Sequence, residues 1–351
     1  MVTSDRPARA AGSEGSAGEP PREAASASRA SRGSGAASRL ATDYGVVGFL
    51  LLLIVAFTIA LPDKFPEWAN LQVILGSQAI PALLALAVMV PLVAGEFDLS
   101  VAATLGLASV FAAWASSKGL APGVVLLLCL AIGVAVGVVN GLLVTVVGVG
   151  AFITTLGMAT ILSGGNLLMT DGSVLVQGIP TTLTDLARTE LLGLPIVVFY
   201  ALALALLLYY LLEWTPFGRY LQATGKGREA ARLTGVRTDR WLFLSFVIAG
   251  AIAAFAGFMQ TARIGSAPPT VGPDFLLPAY AAAFLGATTI RPGRFNVWGT
   301  IVGVLVLAVG INGLNLAGVA FWVPPVFNGV ALVLAVSVAV VVSRRSRTKA
   351  A

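Results

Sequence analysis

Few residues in this 351-residue chain could do chemistry. Histidine is absent, which excludes imidazole acid–base work and imidazole metal sites. The one cysteine, Cys129, stands in the apolar run VVLLLCLAIG. It has no internal disulfide partner and reads as a small buried hydrophobe. Two carboxylates, Glu96 and Asp98, sit in a short link between apolar runs, with Ser100 close behind. Asp-x-Ser ahead of an apolar run suits a helix cap, with Asp98 or Ser100 accepting from free N–H groups. The other reading is a gate or pathway residue at a helix break. Glu96 reads as a solvated interfacial charge. No carboxylate cluster, thiol pair or nucleophile beside a base occurs, so an enzyme is not expected.

Small and polar residues mark two further places. Thr154, Thr155, Gly157, Thr160, Ser163 and Gly164 crowd one apolar segment. Gly157, Thr160 and Gly164 share a helical face, which suits close helix packing or a path lined by hydroxyls. Asn140-Gly141-Leu142 recurs as Asn312-Gly313-Leu314, a trace of inverted repeats or a coincidence. Buried amides need partners, so Asn140 and Asn312 are candidates for pathway or packing contacts.

The stretch GKGREAARLTGVRTDR, residues 225–240, is charged and helix-prone between long apolar runs. It is not a phosphate-binding loop of the form GxxxxGK[ST], because Tyr220 stands where the first Gly must be and Gly227 where Ser or Thr must follow Lys226. REAARL has strong helix formers, and Gly235 suits a left-handed C-terminal cap. Ala230 and Leu233 share one face, while Ala231 permits close backbone approach. The segment is either a short amphipathic helix that docks another protein or a plain basic connector.

These residues must be positioned by membrane helices. The chain is 57% hydrophobic and 11% charged, against about 25% charged in a soluble domain. Residues 1–43 have almost no aliphatics beyond alanine, only Val2 and Leu40, and read as a disordered tail. A span needs about 20 apolar residues. Segments 44–62, 71–93, 122–147, 194–212, 241–261, 295–317 and 323–343 qualify, and 100–117, 150–170 and 275–290 are weaker, rich enough in Gly, Ala, Ser and Thr to leave room for short, tilted or broken spans. The fold class expected is an all-α polytopic membrane protein of about ten spans over 44–343, with a basic tail over 344–351. Both termini and the 213–240 loop then fall in the cytoplasm, with 18 of the 22 Lys and Arg on that side. The net charge of +6 therefore reflects topology rather than nucleic-acid binding. Burying the loop's cations in lipid would cost roughly 2.5–3.5 kcal/mol each.

Ten spans around a path suggest transport. The spans are almost free of ionisable residues, which disfavours coupling to an ion gradient. A passive channel, a secondary carrier and a membrane scaffold are the rival classes. With no ATP site of its own, the chain needs an energy source on another chain, and the basic loop is the candidate dock.

Four ordered motifs carry a resemblance. GEFDLSVAATLGLASV (95–110), NGLLVTVVGVGAFITTLGMATILSG (140–164), TPFGRYLQATGKGREAARLTGV (215–236) and RPGRFNVWGTIVGVLVLAVGINGLNL (291–316) resemble the ribose/xylose/galactose permeases of ATP-binding cassette importers. Glu96, Ala102, Ala151 and Lys226-Gly227 depart from the family's usual Gly, Gly, Pro and Gly-Asn. The resemblance implies a bacterial plasma-membrane permease that binds no cofactor itself. ATP and Mg would belong to a separate ATPase subunit. A second permease chain, identical or related, would complete the pore, and an external binding protein would deliver a monosaccharide. Gly225, Glu229, Ala230, Ala231, Leu233 and Gly235 would form the ATPase-coupling loop. Another small solute, such as a branched-chain amino acid or a polyol, is the alternative cargo.

Overall fold

The computed structural model describes residues 44–348. The tail expected over 1–43 and the last three residues lie outside them. Each of the ten apolar segments forms a helix. These are α1 (Tyr44–Ala60), α2 (Trp68–Val93), α3 (Ser100–Ser117), α4 (Pro122–Leu142, widening into a π-turn over Leu143–Val147) and α5 (Ala151–Thr170). After the short helix α6 (Thr181–Arg188) and a hairpin of β1 (Glu190–Leu191) with β2 (Leu194–Pro195) comes α7 (Ile196–Trp214). Two surface helices follow, α8 (Pro216–Lys226) and α9 (Arg228–Leu233). Then come α10 (Thr238–Ile264), α11 (Pro273–Gly286), α12 (Val297–Leu316) and α13 (Val323–Thr348).

Seven of these helices, α2 to α5, α7, α10 and α12, are long and apolar enough to cross a membrane. Of the three weaker segments, 100–117 and 150–170 are continuous full-length helices. Only the third is short: α11 has 14 residues. Pro273 opens it, and Gly272 before it has φ +125°. Gly272 lies against the Ala102 carbonyl and Gly106 of α3. The preceding segment, 265–272, thus descends beside α3, pinned at its start by an antiparallel bridge between Leu175 and Ala267. Irregular backbone at membrane depth persists only where protein or an aqueous cavity surrounds it.

Helix α10 is the hub. Phe246 and Phe258 are fully buried. Against α4 the contact has no side chains between the backbones. A Cβ on Gly133 would collide with the Gly250 carbonyl, and one on Gly250 with that of Gly133. Small residues let membrane helices approach in this way. Gly257 of α10 similarly abuts the Leu105 carbonyl of α3. Burial divides the helices: α3 is 78% buried over its most apolar window, but α5 only 22%.

Candidate functional site

The six-residue link between α2 and α3 ties four helices together. Asp98 is buried, and its Oδ1 accepts from the Ser100 N–H at 2.9 Å and the Ser100 hydroxyl at 2.6 Å. The carboxylate therefore takes up the first N–H of α3 from just ahead of its N-cap residue, Leu99, whereas Ser100 donates to it instead of capping. Asn140 of α4 donates from Nδ2 to Ser100 Oγ at 2.8 Å. The Leu99 N–H donates to Thr155 Oγ1 of α5 at 3.0 Å. The Asp98 N–H donates to the Tyr280 hydroxyl of α11 at 3.1 Å. Sequence candidates Asp98, Ser100, Asn140 and Thr155 thus converge on one link, and Thr154 is buried beside Thr155. Asn140 Oδ1 and Thr154 Oγ1 are buried without hydrogen-bond partners. Burial pushes the Asp98 carboxyl up to about 6 against the opposing pull of the Ser100 bonds.

Asn312 does not join this cluster. It is half-buried on α12, with Oδ1 unpartnered. The repeated triplets do share one device, since a Cβ on Gly141 would meet the Phe243 ring and one on Gly313 the Phe57 ring. Tyr280 was missed by sequence reasoning. It is one aromatic in the apolar run of α11, and only its approach to a residue 182 positions away reveals its role. Phe97 covers it, with ring centroids 5.8 Å apart.

The basic loop lies directly against this link. Gly225, near the end of α8, packs on the Val93 carbonyl at the end of α2, and Gly95 packs on Gly225 in return. Glu96 is not simply a solvated charge. Its side chain is one-third exposed and faces the Arg228 guanidinium at 3.9 Å. Partial burial raises the Glu96 carboxyl above its usual range, and Arg228 opposes this. Arg228 also pairs with Asp239 at 2.5 Å, and Arg232 pairs with the same carboxylate at 2.6 Å.

Helix α9 covers the REAARL stretch. Ala231 is buried against the body of the protein, while Glu229, Ala230 and Leu233 face outward. Leu233 is 90% exposed, an apolar knob left open to solvent among the described residues. The helix ends in a Schellman turn. The Val236 N–H donates to the Ala231 carbonyl at 3.1 Å and the Gly235 N–H to that of Arg232 at 2.9 Å. Gly235 takes φ +86°, the left-handed cap its position suggests.

The family model for the permease component of branched-chain amino acid transport systems matches residues 70–341. The chain belongs to this permease family. Among its relatives is a ribose import permease of Bacillus subtilis, 35% identical over 82% of this chain and 89% of the relative. A ribose import permease of Escherichia coli K12 is 33% identical over 82% and 91%. A D-allose transport system permease of the same strain is 28% identical over 86% and 92%. No solved structure matches. This permease is therefore the multi-pass membrane subunit of an ATP-binding cassette importer. Both the Asp98 link and the basic loop lie within the matched residues.

Proposed function

We propose that this permease forms, with a second permease chain, the membrane path for a monosaccharide delivered by an external binding protein. The ribose and allose permeases that match most of its length support this cargo. A separate ATPase docks on α9, where Ala230 and Leu233 project. Both termini and the 213–240 loop lie in the cytoplasm of a bacterial cell. The observation that carries the mechanism is the backbone contact of Gly225 with Val93 and Gly95. Movement of the dock is felt directly at the link that holds Asp98, and through it at α3, α4, α5 and α11. The exposed face of α5, with Gly157, Thr160 and Gly164, lines the path opposite the second chain.

The test is uptake by proteoliposomes that contain the permease, its ATPase and its binding protein. Ribose, xylose, galactose and allose are the cargoes, with leucine and a polyol as the competing classes. ATP-dependent uptake of one monosaccharide is expected. Uptake of leucine alone would transfer the permease to amino-acid cargo, and uptake without the ATPase would remove it from this transport class.

A further inference from the structure

A second site lies where the basic loop runs into α10. Tyr220, Thr234, Gly235, Val236, Arg237, Arg240 and Trp241 line an open surface cavity of about 300 Å³. The rings of Tyr220 and Trp241 stack with centroids 5.1 Å apart, and Phe217 meets Trp241 edge-on at 6.0 Å. The Arg240 guanidinium lies 5.5 Å from the Trp241 ring centre, a cation–π geometry. Arg228 and Arg232 are committed to Glu96 and Asp239. Arg237 and Arg240, by contrast, have no carboxylate within ion-pair distance among the described residues. At Gly235 nothing occupies the space where a side chain would stand, so the cavity wall there is bare backbone.

Depth selects the ligand. Trp241 is the fourth residue of the spanning helix α10, so the cavity sits at the first turn of a membrane helix. Trp and Tyr concentrate at this headgroup level, and unpaired cations there attract anionic lipids. A second protein would contact the projecting face of α9 rather than a recess floored by membrane-interface aromatics. We propose that this cavity binds the phosphodiester headgroup of an anionic phospholipid, with Arg237 and Arg240 as the charge partners and the Tyr220–Trp241 stack as the wall. The site holds the start of α10 at a fixed depth.

The full chain, purified in neutral detergent, is titrated with phosphatidylglycerol or phosphatidylcholine, and bound lipid is counted by native mass spectrometry. Inorganic phosphate serves as the competing free anion. Phosphatidylglycerol is expected to be retained in preference to phosphatidylcholine. Arg237→Ala with Arg240→Ala should weaken that retention roughly thirtyfold, for two cations near a charged surface. Arg237→Lys with Arg240→Lys should restore most of it. Both arginines are exposed, and thermal unfolding of each variant confirms that it is folded. Equal retention of both lipids overturns the proposal. So does displacement of phosphatidylglycerol by inorganic phosphate at matched concentration, which would make the ligand a free anion. Loss of ATPase association in the alanine variant with lipid retention unchanged also overturns it, and would assign the arginines to the protein dock.

Discussion

Gly225 of the basic loop sits so close to the Val93 carbonyl that a side chain of any size would strike it. The loop and the end of α2 therefore meet backbone to backbone, with no flexible side chain between them. Gly225→Ala must push α8 away from the link, at a cost of about 1–3 kcal/mol for an overpacked contact. The variant should insert in the membrane and still bind its ATPase through α9, yet lose at least about tenfold in uptake, the equivalent of about 1.4 kcal/mol. Unimpaired uptake by Gly225→Ala would show that the contact transmits nothing.

Leu233 offers the opposite case. It is 90% exposed, so Leu233→Asp should leave thermal stability within about 0.5 kcal/mol of wild type. It should nonetheless abolish ATPase pull-down and uptake, because a docked carboxylate without a partner costs several kcal/mol. Gly235→Val should weaken the same association through the backbone, since φ +86° strains a β-branched residue by about 1–3 kcal/mol. Full ATPase association by Leu233→Asp would leave the loop as a plain connector.

Asp98→Asn separates the charge from the cap, because the amide oxygen can still accept both Ser100 bonds. The wild-type carboxyl is held at about 6 in the fold against an ordinary 3.8. The folded state thus binds the proton more tightly than the unfolded chain. Its stabilising effect is complete below pH 4 or so and lost as pH rises through about 6, a difference on the order of 3 kcal/mol. Thermal unfolding in detergent should therefore show wild type losing stability across that window while Asp98→Asn does not. Parallel pH profiles for the two proteins would contradict the buried-charge account.

Thr160 reports on the second chain. In a Cys129→Ala background, Thr160→Cys should form an intermolecular disulfide on mild oxidation if the open face of α5 meets its counterpart in a homodimer. In a heteromeric pair, the cross-link should form to the related chain when that chain carries the matching cysteine. Accessibility of Thr160→Cys to bulky lipid-soluble reagents alone, without cross-linking, would place the α5 face against lipid.

The helices were legible because membrane spans are written as uninterrupted apolar runs, and α9 because REAARL ends at a glycine able to take the left-handed cap. Polar crowding left open whether 100–117 and 150–170 are whole or broken. Several of their hydroxyls return to the helix's own carbonyls, as Thr104 does to Ser100, Ser163 to Ala159 and Thr170 to Asn166, and these spans stay unbroken. Helix α6 escaped notice because eight amphipathic residues after Pro180 carry no long period. The Asp98 cluster was half legible. Asp98, Ser100, Asn140 and Thr155 announce themselves as polar residues in apolar surroundings, but Tyr280 and the Arg228–Glu96 pair exist only through tertiary approach.

The Gly133–Gly250 contact between α4 and α10 has a mechanical meaning. Each glycine is excluded from change by the other's carbonyl, so enlarging one cannot be offset by altering its partner's side chain. Sliding either helix would drive a flanking Cβ into backbone, so the two move as one strut. Any alternation between outward and inward access must then be carried by parts that move against that strut, and α5, the most sparsely buried of the long spans, is the leaf freest to swing.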